Sequence, residues 1–205
     1  MPNTQKQFGK LITPTDDRQF ESFDKLLIHC NEKQRESEVH WRLPADILPI
    51  AYRDRLQLKV SGSQAYELND WSFGQVCELA HVKKETLNRL KADTAAQVLM
   101  ETFPFGSRPY QVFTFDGAVQ SIHRVGFTRL FDAELLELVV DEAFDYNPPP
   151  NGFGGTAGMY AGEQDMFAFF IDEQAWVEIG DEQFAPGFFV WNSEVGRRTV
   201  GIQTF

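Results

Sequence analysis

Residues 110–124 place the tightest constraint on what this chain can fold into. Tyr110-Gln-Val-Phe-Thr-Phe115 and the run from Ala118 to Arg124 are two strand-forming segments separated only by Asp116-Gly117. Asp-Gly is a preferred two-residue hairpin connection because both positions accept positive φ, so an antiparallel hairpin is predicted here. The same arrangement recurs upstream: Leu56-Gln-Leu-Lys-Val60 alternates, a Ser-Gly-Ser turn follows, and Gln64-Ala-Tyr-Glu-Leu68 returns. At the end of the chain, Gly187-Phe-Phe-Val-Trp191 and Thr199 to Phe205 flank a polar turn carrying Asn192, Glu194, Arg197 and Arg198. This third hairpin has apolar residues on both faces of its first strand, which predicts a central position in a sheet.

Helical spacing fills the intervals. Phe20, Phe23, Leu26, Leu27 and Cys30 recur at three and four residues, predicting a helix capped by Asp16 or Asp17 and running to about Glu32. Asn69 and Asp70 are cap residues for a helix carrying Phe73, Val76, Cys77 and Leu79. After a break near Ala80–Val82, a second helix carries Leu87 and Leu90, and a third runs from about Thr94 to Thr102, where Pro104 and Gly106 stop it. Asp132 is placed to cap a helix to about Phe144. Residues 39–43 alternate as a short strand, and Met166-Phe-Ala-Phe-Phe-Ile171 reads as a strand buried on both faces. The expected fold is α+β, an antiparallel sheet built from hairpins with helices packed on one side. Residues 1–15 read as a loose arm and 16–205 as a single domain. The Pro/Gly run from Asn147 to Gly158 offers an alternative point of subdivision. The abrupt end at Phe205, inside a strand-like run, predicts either a natural protein that continues or a last strand paired tightly into the sheet.

Charge narrows the classes of function. Residues 1–127 hold 16 Lys/Arg and 16 Asp/Glu, whereas residues 128–205 hold 3 and 14. A strongly acidic surface repels phosphate backbones, so nucleic-acid binding is disfavoured for the C-terminal part and left open to a local basic patch in the N-terminal part. No apolar run approaches the ~18 residues of a membrane span, and Met-Pro-Asn-Thr-Gln-Lys-Gln lacks a signal-peptide core. A cytoplasmic protein without membrane contact is expected. Cys30 and Cys77 sit in apolar helical patterns, as buried thiols do.

Motif by motif, most familiar chemistries are missing. The chain has no phosphate loop, no H-E-x-x-H, no C-x-x-C and no G-x-S-x-G. His29, His40, His81 and His123 are dispersed without metal-ligand spacing, and no cofactor is expected. Gly152-Phe-Gly-Gly-Thr-Ala157 formally fits a dinucleotide fingerprint, but it follows three prolines and precedes a strand rather than a helix. The helices of residues 72–102 invite a helix-turn-helix reading in which Lys83, Lys84, Arg89 and Lys91 give the second helix positive charge. An ordinary helix pair with a solvated basic face is the commoner structure of this kind. In the closing hairpin, a turn tied by Asn192 and a pair between Glu194 and an arginine is the structural reading. Arg197 or Arg198 on a phosphate, with Trp191 stacked on a base, is the functional one. Asp165 lies beside the Gly-rich loop at a strand start, a location where carboxylates act in catalysis or hold cations.

Two stretches carry a family resemblance. Gly158-Met-Tyr-Ala-Gly-Glu-Gln-Asp-Met-Phe167 and Gly187-Phe-Phe-Val-Trp-Asn-Ser-Glu-Val-Gly196 resemble the bacterial and phage/plasmid family called domain of unknown function 932. The upstream order of Tyr66-Glu-Leu, Phe73, Leu79, Leu90, a hairpin and Asp132-Ala-Glu-Leu-Leu-Glu-Leu agrees with it, so the likeness spans about residues 50–205. The resemblance implies a protein of mobile elements, working near DNA metabolism, with no assigned reaction. The leading expectation is a non-enzymatic accessory protein that binds single- or double-stranded DNA or a DNA-processing partner. Its basic surface would comprise Lys83, Lys84, Arg89, Lys91, Arg124, Arg197 and Arg198, with Trp191 stacking. One alternative is a metal-dependent enzyme using Asp165 and Glu194 beneath the Gly152–Gly162 loop. Another is a protein–protein module that completes its sheet edge with a second chain, as an oligomer would.

Overall fold

The computed structural model describes residues 18–143, 145–148, 158–180 and 182–205. The arm expected over 1–15, the caps Asp16 and Asp17, and most of the Pro/Gly run lie outside the described residues. In chain order the elements are β1 (Arg18–Gln19), α1 (Phe23–Glu36), β2 (Glu38–Arg42), a 3₁₀ turn (Pro44–Asp46), β3 (Ile47–Tyr52), β4 (Arg55–Val60) and β5 (Ala65–Leu68). Next come α2 (Asp70–Leu79), α3 (Lys84–Leu87), α4 (Ala92–Thr102), β6 (Tyr110–Phe115), β7 (Ala118–Arg124) and α5 (Asp132–Glu142). The chain closes with β8 (Met159–Ala161), β9 (Met166–Ile171), β10 (Val177–Ile179), β11 (Glu182–Phe184), β12 (Gly187–Asn192) and β13 (Gly201–Thr204). The class is α+β, with sheets made mainly of antiparallel hairpins and helices packed alongside.

The chain divides into two compact units. The first comprises Met1–Thr15 and Glu36–Phe127, the second Asp16–Arg35 and Thr128–Phe205. The division falls at the end of α1 and after β7. Unit 1 carries 12 Lys/Arg and 11 Asp/Glu, a net of +1; unit 2 carries 7 and 19, a net of −12.

Unit 1 is a six-stranded sheet in the order β2-β6-β7-β5-β4-β3. The Asp116-Gly117 connection forms as its sequence predicts, with φ of 48° and 72°. It pairs Phe115 with Ala118 and, at the far end, Tyr110 with Arg124. The register shifts between Phe113 and Thr114, an irregularity beside Gln120, whose side chain donates to Phe115 O and accepts from Asn69 Nδ2. The pairing of β5 with β7 is parallel, so the sheet is mixed rather than purely antiparallel. Asn69 starts α2 with a capping box: its Oδ1 accepts the Ser72 amide at 2.8 Å and Ser72 Oγ accepts the Asn69 amide at 3.1 Å. Such a cap contributes about 1 kcal/mol. Phe73, Val76, Ala95 and Leu99 of α2 and α4 bury themselves against Leu56, Leu58, Leu68, Val112 and Val119 of the sheet. At about 1.5–3 kcal/mol per buried large aliphatic side chain, this layer holds the unit together.

Unit 2 places β1-β8-β9-β12-β13 in one antiparallel sheet, with β10 and β11 in a separate ribbon. Leu26 and Cys30 of α1 and Leu135, Leu136 and Val139 of α5 pack with Met166, Ala168, Phe170 and Val190. Helix α1 starts at Phe23 rather than directly after Asp17, because Arg18–Gln19 pairs with Tyr160 and Ala161 as a strand. Strand β9 is not buried equally on its two sides: Met166, Ala168 and Phe170 are buried, while Phe167 and Phe169 are half-buried. The half-buried side is an aromatic face on which Tyr160 stacks on Phe167 at 4.9 Å, Phe169 on Phe189 at 5.2 Å, and Trp191 lies 5.1 Å from Phe189. Two glycines make room for it. A Cβ at Gly201 would collide with the Trp191 indole, and one at Gly187 would meet the Phe205 ring.

Candidate functional site

Three groupings of polar side chains compete for a functional role. The first lies in unit 1, where β2 and β7 end and β6 begins. Arg42, Tyr110 and Arg124 occupy one row across these strands. The loop from α4 into β6 is pinned at both ends, by Phe103 and Tyr110, which are buried. Pro104 prevents α4 from continuing, and Pro109 stiffens the entry into β6. Between these anchors the Phe105 ring is 89% exposed. A cavity of about 250 Å³ opens here, lined by Pro44, Phe105, Ser107, Arg108, Tyr110 and Arg124 among others. Arg42 is engaged, donating from Nε to Ser61 O at 2.7 Å and from Nη1 to Trp41 O at 2.9 Å. Arg108 and Arg124 are exposed, and among the described residues neither side chain has a hydrogen-bond or ion-pair partner. Two arginines line one cavity whose lining holds no carboxylate, and the planar fork of a guanidinium suits phosphate.

The second grouping is a buried charge network in unit 2. Lys33 falls on the same stripe of α1 as Leu26 and Cys30 and is buried with them. Its Nζ pairs with Glu194 Oε2 at 2.8 Å and lies 4.0 Å from Asp132 Oδ2. Asp132 does not cap α5 as its position predicts. It is the first helical residue, its amide donates to Glu194 Oε1 at 2.9 Å, and its Oδ1 accepts from Asn192 Nδ2 at 2.8 Å. Asn192 also donates to Leu130 O, and Arg129 donates to Glu194 O. Burial raises the Asp132 carboxyl to about 7, with Glu194 adding to the rise and Lys33 and Asn192 opposing it. Burial works against the Lys33 charge as well, but Glu194 and Asp132 outweigh it and hold the ammonium above its ordinary pKa. Arg129 is lowered to about 10 by burial, against the pull of Glu194. The side chains of Lys33, Asp132 and Glu194 are only 10%, 5% and 1% exposed. They tie α1, the start of α5 and the end of β12 together, and they are too enclosed to meet a substrate.

The third grouping is Asp165 with Arg197 and Arg198. Asp165 Oδ2 accepts from Arg197 Nη1 at 3.0 Å and pairs with Arg198 Nε at 3.2 Å. The expected pair between Glu194 and a neighbouring arginine is therefore replaced. Glu194 turns inward to Lys33, and the arginines take Asp165. Ser193 fixes this turn by donating to Gln164 O at 2.6 Å and accepting the Arg197 amide at 2.9 Å. Among the described residues no group of three or more His, Cys, Asp or Glu is placed to hold a metal ion.

The basic residues singled out from sequence are dispersed by the fold. Helix α3 spans four residues, so Lys83 precedes it and Arg89 and Lys91 follow it. Lys84 pairs with Asp70 at 2.7 Å. Trp191 lies over Gly201, and Arg197 and Arg198 are held by a carboxylate. Arg124 alone among them lines the cavity. Sequence reasoning missed Arg108 and Phe105, although the Asp116-Gly117 hairpin contains the signal: its register sets residue 110 opposite 124 and so brings the 105–109 loop beside Arg124. It also missed Lys33, whose place one turn beyond Cys30 on the apolar stripe marks it as a buried cation.

No family model, curated protein or solved structure matches the chain. The resemblance to domain of unknown function 932 therefore rests on its quoted motif residues alone. Among the described residues no helix is long and apolar enough to cross a membrane.

Proposed function

We propose that the chain is a non-enzymatic nucleic-acid-binding protein, an accessory factor of a mobile element acting in the cytoplasm, and that unit 1 carries the binding surface. The observation that supports this is the convergence of Arg108 and Arg124 on one cavity, with neither neutralised by a carboxylate, beside the exposed Phe105 ring. The net charge of −12 opposes approach of a phosphate backbone to unit 2, whereas unit 1 is close to neutral. Exposed Lys83, Arg89 and Lys91 add positive charge to the same unit. Neither Asp165 nor Glu194 supports the enzymatic alternative, since each already has a cationic side chain of this chain on it.

Fluorescence anisotropy with a labelled 20-nucleotide strand tests the proposal. Binding is expected at low salt and weakens with added salt. The double variant Arg108→Ala/Arg124→Ala should bind about tenfold more weakly or worse, with the salt slope reduced by roughly one to two units. Undetectable binding at low salt, or a double variant with the parent's slope, overturns it.

A further inference from the structure

The geometry points to unpaired nucleotides, rather than duplex, as what the Phe105–Arg108–Arg124 cavity takes. This rests on the nucleic-acid reading above and narrows it. Three observations carry it.

A ring that is 89% exposed, on a loop with prolines on either side, presents both its faces to solvent. Large aromatic side chains usually remove most of their area from water, so this one offers a stacking surface to a ligand. A base offers a matching face only when it is out of the helical stack. Extracting it from a duplex costs unstacking and unpairing, which a single strand avoids.

The cavity, at about 250 Å³, falls just below the range of sites for drug-sized ligands. It suits one base or one phosphate-bearing nucleotide. Duplex recognition instead needs an α-helix or two-stranded ribbon laid along a groove. The helix that would have served, α3, is a single turn, with its lysine at position 84 tied to Asp70.

The two arginines lie on separate elements, the α4–β6 loop and the end of β7, on the rim of the same cavity as the ring. One phosphate between the guanidinium groups would leave its attached base within reach of Phe105. DNA and RNA strands both present this combination of phosphodiester and free base.

Equilibrium competition on the full chain tests the inference, using T20 DNA, U20 RNA, a 20-base-pair blunt duplex and heparin as a polyanion without bases. At least one of the two single strands should bind about tenfold tighter than the duplex, and Phe105→Ala should bring the ratio of single strand to duplex close to one. The ring is exposed, so circular dichroism and thermal unfolding of that variant should match the parent. Equal affinity for strand and duplex, or a preference that survives Phe105→Ala, overturns the inference while leaving nucleic-acid binding in place. Heparin bound as tightly as either strand also overturns it. Failure of every oligonucleotide to bind at low salt removes both.

Discussion

Unit 2 carries far more aromatic surface than the cavity of unit 1, yet it is the poorer candidate for stacking a ligand. On its sheet the rings of Tyr160, Phe167, Phe169, Phe189 and Trp191 contact one another at 4.9–6.2 Å. Trp191 and Phe205 fill the places left by the missing side chains of Gly201 and Gly187. Guanidinium groups near that sheet end, Arg197 and Arg198, share the Asp165 carboxylate. In unit 1 the Phe105 ring is 89% exposed, and among the described residues the Arg108 and Arg124 side chains have no carboxylate partner. The difference is one of satisfied against open valence. Aromatic and basic residues become a binding surface where the fold leaves them without partners.

The largest effect that should separate the two units comes from Lys33→Met. Removing the ammonium leaves Glu194 and Asp132 buried without their cation, and breaking one side of a buried ion pair costs about 3–5 kcal/mol. Hydrogen exchange should register the loss in β9 and β12, with oligonucleotide affinity retained wherever unit 1 stays folded. Adding Glu194→Gln should cost less than a second loss of that size, because the orphaned charge goes with it. If Lys33→Met leaves exchange in β9 and β12 unchanged, the network does not hold unit 2 together. If it abolishes oligonucleotide binding in a folded chain, the assignment of binding to unit 1 breaks.

A smaller cost attends Gly201→Ala. The added methyl would enter the space of the Trp191 indole, and overpacking of this kind costs about 1–3 kcal/mol. The companion change Trp191→Leu should recover part of it by vacating the space. A neutral Gly201→Ala would mean that the indole can move aside at little cost, which would make the aromatic face of unit 2 adaptable and narrow its difference from the cavity of unit 1.

Much of this contrast was legible before folding, and the remainder depends on long-range geometry. The hairpin at Asp116-Gly117, the Asn69 cap and the apolar run of β9 are local signals, and each element forms where its residues place it. Strand β3 was not recognisable because Pro49 argues against a strand. The sheet accommodates it at the edge, where a missing amide breaks no ladder bond on the open side. The parallel contact of β5 with β7 joins segments with no turn between them to announce it. At the site, Arg124 was visible as a basic residue, but its lack of a partner was not. Nor could sequence show that Glu194 would reach Lys33 rather than the arginines three and four residues away, since that choice depends on where α1 packs.

Acidity provides a graded discrimination between the units. The Asp132 carboxyl is raised to about 7 in the fold, chiefly by burial, from an ordinary value near 3.8. Between those two values the folded chain holds a proton that the unfolded chain has released. Stability therefore falls as pH rises through this window, by at most about 1.4 kcal/mol per pH unit for one group. The direction is opposite to that of a salt-bridged carboxylate with a lowered pKa, which gains stability as pH rises. Lys33, whose pKa is raised, stays charged through the window and adds no slope of its own there. Hydrogen exchange in α5 and β12, corrected for the intrinsic pH dependence of amide exchange, should show protection decreasing from pH 5 to pH 7.5. Asp132→Asn should remove that component. Arg108 and Arg124 belong to unit 1, so their contribution to strand affinity should stay level while unit 2 loosens. A decline in affinity that follows the loss of protection, and disappears in Asp132→Asn, would show that the acidic unit regulates the cavity and that the two units do not act independently.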